Sequence, residues 1–378
     1  MRVLIIGGYG AFGARAAERL ARESDLEIVV AGRSRTRAEA AAAALRRGAK
    51  TSIGSAVLDA TRTTAADLGA LAPSVVINAS GPYQARDYAL AKACIAARCH
   101  YVDLADARSF VTGVMALDRE AKAAGVLVAS GASSVPGLSS AVVASFAGGF
   151  GRLERLDIAI SPGSSFDPGA ATAASVLGGA GKAIPMLLDG ETRMVYGWQG
   201  LGRAVFPELG RRWTGYVEVP DLDLFPARYP SLRTVRFQAG LEVGLVHLGL
   251  WGLSWLVRAG AIGRPDRFAA PLLAVKRHLS FLGSDRGGMF VVLEGEDRQG
   301  QPKRVDWHLV AGSGHGAYVP AIPSVILAKR LARGTERRTG AMACMGLFTV
   351  VEFLAEVADL DISCSATISD PQSQTPNC

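Results

Sequence analysis

Short, almost wholly apolar runs alternate with alanine-rich polar stretches through the first 130 residues. The runs are Met1 to Ile6, Leu26 to Ala31, Ser55 to Ala60, Val75 to Asn78, His100 to Leu104 and Gly125 to Ser130. Apolar runs of this length fit strands covered on both faces, as in a parallel sheet. The stretches between them, Ala14 to Leu20, Thr36 to Arg47, Thr64 to Leu71, Asp87 to Arg98 and Val114 to Ala124, are good helix formers. Six strands in βα register predict a doubly wound α/β domain over 1–132. Beyond the loop Gly131 to Leu138 and the helix Ser139 to Ala147 the pattern changes. Arg155 to Ile160 opens an α+β domain over 133–319. Within it, Gly288 to Glu294 and Val305 to Val310 flank a Gly-containing turn and predict an antiparallel hairpin. Helices are expected over Pro323 to Arg333 and Met342 to Asp359. A tail over 364–378, rich in Ser, Thr, Pro, Gln and Asn, is expected to be disordered.

The first strand runs directly into Gly7, Gly8, Tyr9, Gly10, Ala11, Phe12 and Gly13, in which Gly8-x-Gly10-x-x-Gly13 has the dinucleotide-binding spacing. Gly8 is expected to permit the tight turn. Gly10 would let the backbone approach a pyrophosphate, and Gly13 would let the next helix pack closely. The helix N-terminus then offers N–H groups and partial positive charge to phosphate. A site for NAD would place Asp or Glu at the end of the second strand. Here that end reads Gly32, Arg33, Ser34, Arg35, which suits a 2′-phosphate and favours NADP (NADPH) over NAD. Asp59 ends the third strand and either approaches the adenine or caps the next helix. The fourth strand empties into Ala79, Ser80, Gly81, Pro82 and Tyr83. Ligands sit at the carboxyl ends of such strands, so this loop should border the nicotinamide. The expected fold class is α/β: a Rossmann doubly wound parallel sheet with a second α+β domain containing an antiparallel sheet.

Composition narrows the function. Of 378 residues, 49% are apolar and 20% charged, so a sizeable core is expected. The net charge is +7, but the basic residues are scattered without an aromatic-plus-basic stripe, which argues against nucleic acid. The five cysteines form no C-x-x-C pair and no metal-ligand cluster, so no metal is expected. With no signal-peptide pattern at the start, this argues for a reducing, cytoplasmic setting. No run is long enough to span a membrane. Leu241 to Val257, with Trp251 and Trp255, comes closest. It fits a buried helix or pocket wall, with peripheral lipid contact as the sharper alternative.

Taken in order, these segments make the chain similar to the saccharopine dehydrogenase-like (saccharopine reductase-like) NAD(P)-dependent oxidoreductases. The resemblance rests on Val3 to Gly13, Val76 to Tyr83, Tyr101 to Leu104, Leu117 to Val126 and Gly131 to Gly137, with further likeness near 288, 307–312 and 340–344. It implies that the last helices, about 320–362, return to the nucleotide domain. It also implies that Tyr83, Asp103 and the Ser133-Ser134 loop face the nicotinamide–substrate cleft, and that the protein is a homodimer. Members reduce imines, form opine-like secondary amines or reduce enoyl lipids. After Asp103 this chain reads Ala105, Asp106, Ala107, Arg108, so the family's acidic neighbour has either moved to Asp106 or been lost.

Hydride transfer asks the protein for positioning and a proton source. Tyr83, Tyr101 and Asp103 are the catalytic candidates. His308 reads as a strand residue, and His315, between two glycines, as a loop residue able to close over a site. Trp198, Trp213 and Arg286 are candidates for shaping a substrate pocket. Three functions stay open. One is hydride transfer at a C=N/C–N centre of an amino-acid-derived substrate, for which Arg211, Arg212, Arg228, Arg233 and Arg236 offer charge. The others are an enoyl or carbonyl reductase with an apolar, lipid-like substrate, and a nucleotide-binding protein without turnover.

Overall fold

The computed structural model describes residues 1–369 except 85, 166, 168 and 279. The chain divides into two compact units, residues 1–138 with 317–356, and residues 139–316 with the segment from 357 onward. The boundary thus falls at 138/139 rather than 132/133, and the chain re-enters the first unit at 317 and leaves it at 356.

In the first unit, β1 (Arg2–Ile6), β2 (Glu27–Gly32), β3 (Ile53–Val57), β4 (Val75–Asn78), β5 (His100–Asp103) and β6 (Leu127–Ser130) form a parallel sheet. Helices α1 (Ala11–Leu20) and α2 (Arg35–Arg46) follow β1 and β2. The order 3-2-1-4-5-6 reverses between β1 and β4, which is where a doubly wound sheet opens its ligand crevice. Val3, Leu4, Ile5, Val75, Val76 and Ile77 are fully buried, as the unalternated apolar runs require.

The second unit holds β7 (Arg152–Ser161), β8 (Ala183–Leu188), β9 (Glu191–Tyr196), β10 (Gly202–Phe206), β11 (Gly210–Tyr216), β12 (Thr234–Ala239), β13 (Gly287–Glu296) and β14 (Pro302–Ala311). β8 and β9 form a separate two-stranded ribbon. β13 and β14 form the antiparallel hairpin read from the sequence, and only the β12–β7 pair in that sheet is parallel.

Two late segments differ from their expected form. Met342 and Ala343, expected to begin the last helix, instead end β15 (Gly340–Ala343), a seventh parallel strand beside β6; the helix covers only Val350–Glu356. Gly340 and Gly346 both have positive φ, which interrupts a helical run. Residues 364–369 are not disordered: Ile362–Ser369 forms β16 on the open edge of β14, where Ser, Thr and Ile suit backbone pairing. Residues 370–378 of the expected tail lie outside the described residues. Among the described residues no helix is long and apolar enough to cross a membrane, and no His/Cys/Asp/Glu group is placed to hold a metal. Cys94 and Cys99 are buried in the core beside Tyr101.

Candidate active site

The glycine turn is built by close backbone approach. The residue with positive φ is Gly7 (+84°), not Gly8, so the tight turn starts one residue earlier than its spacing suggests. A Cβ on Gly7 would lie 2.8 Å from the Ala79 carbonyl, and one on Gly13 would lie 2.3 Å from the Gly7 carbonyl oxygen. Gly8 and Gly10 are nearly as confined, at 2.9 Å from the Ile5 oxygen and 3.1 Å from the Gly7 oxygen. Helix α1 starts at Ala11 after Gly10, with neither a side-chain cap nor an acid in its first turn. Its positive end is therefore left for an anion. These residues fit the pyrophosphate of a dinucleotide.

Tyr9 has a part that sequence reasoning missed. Its hydroxyl accepts the Ser34 N–H at 3.0 Å, and the Arg37 guanidinium sits 4.5 Å from its ring centroid. Gly32 is required beneath it, since a Cβ there would lie 2.5 Å from the ring. Tyr9 thus ties the glycine turn to the end of β2. Ser34 caps α2 by accepting from the Arg37 N–H, and Arg33 is exposed. Asp59 does not cap a helix. Its carboxylate accepts from Thr61 N and Oγ1 at 2.9 and 2.8 Å, bonds that lower its pKa with help from Arg33, while Thr64 caps the helix that follows.

At the ends of β4 and β5 the polar groups interlock. Asn78 Nδ2 donates to the Tyr101 hydroxyl at 3.0 Å, and its Oδ1 accepts from Ser80 N and Oγ at 3.1 and 2.6 Å. Tyr83 donates its hydroxyl to the Asn78 carbonyl at 2.6 Å. Arg86 donates to the carbonyls of Pro82 and Ser80, fixing the Ala79-Ser80-Gly81 loop from its far side. A cavity of about 20 Å³, the room of about one water, is lined by Thr61, Asn78, Ser80, Tyr83, Arg86 and Tyr101. Tyr83 and Tyr101 are buried, and burial together with the Asp103 charge pushes both phenols well above their ordinary range.

Asp103 is fully buried. Its Oδ1 accepts from Ala105 N, Ser130 Oγ and Gly131 N at 3.0, 3.0 and 2.8 Å, so it clamps the loops that leave β5 and β6. Burial raises its pKa to about 6 although these bonds pull the other way. The other candidates are scattered. Asp106 is exposed, and His315 is held in place by accepting the Asp361 N–H at 2.8 Å. His308 lies in β14 against Ser365. Trp198 is a core residue donating to the Val176 carbonyl, Trp213 lies under Arg203, and Arg286 pairs with Glu208.

Gly13→Ala should cost about 1–3 kcal/mol in urea unfolding, because its methyl meets backbone rather than a movable side chain. It should also weaken dinucleotide binding in a fluorescence titration. For Asp103, between about pH 4 and about pH 6 the folded chain holds a proton that the unfolded chain has released. Stability therefore falls as pH rises through that window, by an amount on the order of 3 kcal/mol. Asp221, raised by burial to about 7, adds a fall that extends to near neutrality. Asp103→Asn should remove the part below pH 6 when urea midpoints are compared across pH.

Residues 3–129 match the family model of the saccharopine dehydrogenase NADP binding domain. The apo saccharopine dehydrogenase (L-Glu forming) of Saccharomyces cerevisiae shares the fold, with a TM-score of 0.69 over 97% of this chain and 99% of that one, at 17% identity. A short-chain dehydrogenase from Sphingobium yanoikuyae in complex with NADPH aligns over 34% of this chain and 69% of that one, with a TM-score of 0.26 and 21% identity. No curated protein matches the chain. Residues 3–129 are thus similar to the NADP binding domain of saccharopine dehydrogenase, and the chain as a whole shares the fold of the yeast enzyme.

Proposed function

We propose that the chain is an NADP-dependent oxidoreductase that acts on an apolar carbonyl or enoyl substrate. The preference for NADP over NAD is carried by one observation: the end of β2 presents Arg33 and Ser34 with no carboxylate, beside Arg37 stacked on Tyr9. When bound, the dinucleotide supplies or accepts the hydride. In this reading the chain's own residues bind and orient. The turn Gly7 to Gly13 and the start of α1 hold the pyrophosphate, and Arg33 and Ser34 take the 2′-phosphate. The Ala79-Ser80-Gly81 loop borders the nicotinamide. Tyr83, Tyr101 and Asp103 act as positioning residues for that loop, since their polar atoms engage Asn78 and the loops after β5 and β6. A homodimer and a cytoplasmic setting belong to the same reading.

The substrate class follows from the arginines of the second unit. Arg212 is buried and bonded to Ser161, Glu242 and the Arg286 carbonyl. Arg236 pairs with Asp157 at 2.7 Å, and Arg233 donates to the Asp189 carbonyl. Three of the five expected carboxylate binders are thus committed to protein partners, while Arg211 and Arg228 are exposed. This supports a substrate with little charge. The second reading, hydride transfer at a C=N/C–N centre of an amino-acid-derived substrate, is supported by the fold shared with the L-Glu-forming enzyme.

Arg33→Glu should weaken NADPH binding roughly tenfold to a hundredfold while leaving NADH little changed; equal weakening of both would remove Arg33 from the 2′-phosphate site. NADPH oxidation followed with a medium-chain enoyl thioester or aldehyde should exceed that with glutamate plus an aldehyde. The opposite ranking would favour the C=N reading.

A further inference from the structure

The helix Gly244–Arg258 in the second unit is two-faced. Val246, His247, Leu250 and Ser254 are buried, and Leu250 packs in a core with Leu177 and Trp198. The opposite face carries Leu245 (69% exposed), Leu248, Trp255 and Leu256, spaced three and seven residues apart along one stripe. Gly249 and Gly252 lie within it, and a Cβ on either would meet nothing. The apolar surface continues beyond the helix. Ser284 bonds Glu242 through both its N–H and its hydroxyl, at 2.8 and 2.6 Å, which brings exposed Phe281 (78%) and Leu282 to the helix's start. Exposed Phe268 leads into the helix Ala269–His278, whose Ala269, Leu272 and Leu273 share the core with Leu250.

Charge identifies what covers this face. Among the described side chains of residues 243–282, Arg258, Arg264 and Arg267 are exposed against one acid, Asp266, which pairs with Arg264. A second copy docking by two-fold symmetry would set two such basic surfaces against each other. An apolar stripe with a tryptophan, flanked by cations on a helix too short to span, is the pattern of an element lying in the interface of a bilayer. We propose that the surface built from Leu245, Leu248, Trp255, Leu256, Phe281 and Leu282 docks on an anionic lipid membrane. The chain then lies on the bilayer as a peripheral protein. This stands whichever substrate is reduced.

Co-sedimentation of the full chain with vesicles tests it, using phosphatidylcholine alone and phosphatidylcholine with about one third phosphatidylglycerol. Binding is expected to the anionic vesicles and to weaken with salt. Leu245→Ser with Leu248→Ser should abolish most of it. Arg264→Glu with Arg267→Glu, which leaves the apolar stripe intact, should weaken it about tenfold or more. Both variants should keep the wild-type NADPH affinity, which shows that they are folded. No binding, or equal binding to neutral and anionic vesicles, would overturn the proposal. So would a dimer in light scattering that the leucine variant splits, since the occupant would then be a second copy.

Discussion

Three stretches of backbone converge on Gly7. The turn after β1 bends there with φ of +84°, helix α1 starts against its carbonyl, and the loop after β4 passes within contact of its Cα side. No side chain fits at Gly7 or Gly13, so backbone meets backbone and the geometry carries little rotamer freedom. The direction of α1, the placement of its positive end and the position of the Ala79 loop are consequences of that one crowded point. Tyr9 extends the constraint sideways to β2 through its bond to Ser34. The glycine turn, the end of β2 and the loop after β4 are thereby referred to a common origin.

Against this rigid frame, the ends of β4, β5 and β6 place a buried acid and two buried phenols close together. A buried carboxylate is costly unless its oxygens are met by donors. Asp103 meets that requirement at Oδ1 alone, with two backbone N–H groups and a serine hydroxyl that fix the exits of two neighbouring strands, while its buried Oδ2 has no hydrogen-bond partner among the described residues. Raised pKa values are common at catalytic centres, but structural clamps raise them too. The hydrogen bonds here describe a clamp.

Much of the first sheet could be read from the chain because buried parallel strands leave unbroken apolar runs, and because the glycine spacing is local. What escaped depended on distance or on direction. Ser130 and Gly131 lie 27 and 28 residues from Asp103 and meet it only because β5 and β6 pair in register. The path of the Tyr9 ring depends on the turn conformation rather than on its neighbours in sequence. Arg212 looked like a free cation because Ser161 and Glu242, its partners, come from distant segments. β15 is four residues of Gly, Ala and Met, which locally resemble the start of a helix until β6 offers an edge.

The first unit is discontinuous, and this bears on how the protein is made. The helix Ile322–Ala332, nearly all of it buried, packs across β1, β4 and β5, and β15 completes the sheet edge. Both come from chain translated after residue 316. At ordinary synthesis rates the first 138 residues wait roughly ten to forty seconds for them. During that interval β1, β4 and β5 lack the cover that this helix gives them. The nucleotide-binding unit therefore begins first and is finished only after the segment 139–316 has been translated, so its maturation is gated by the ribosome.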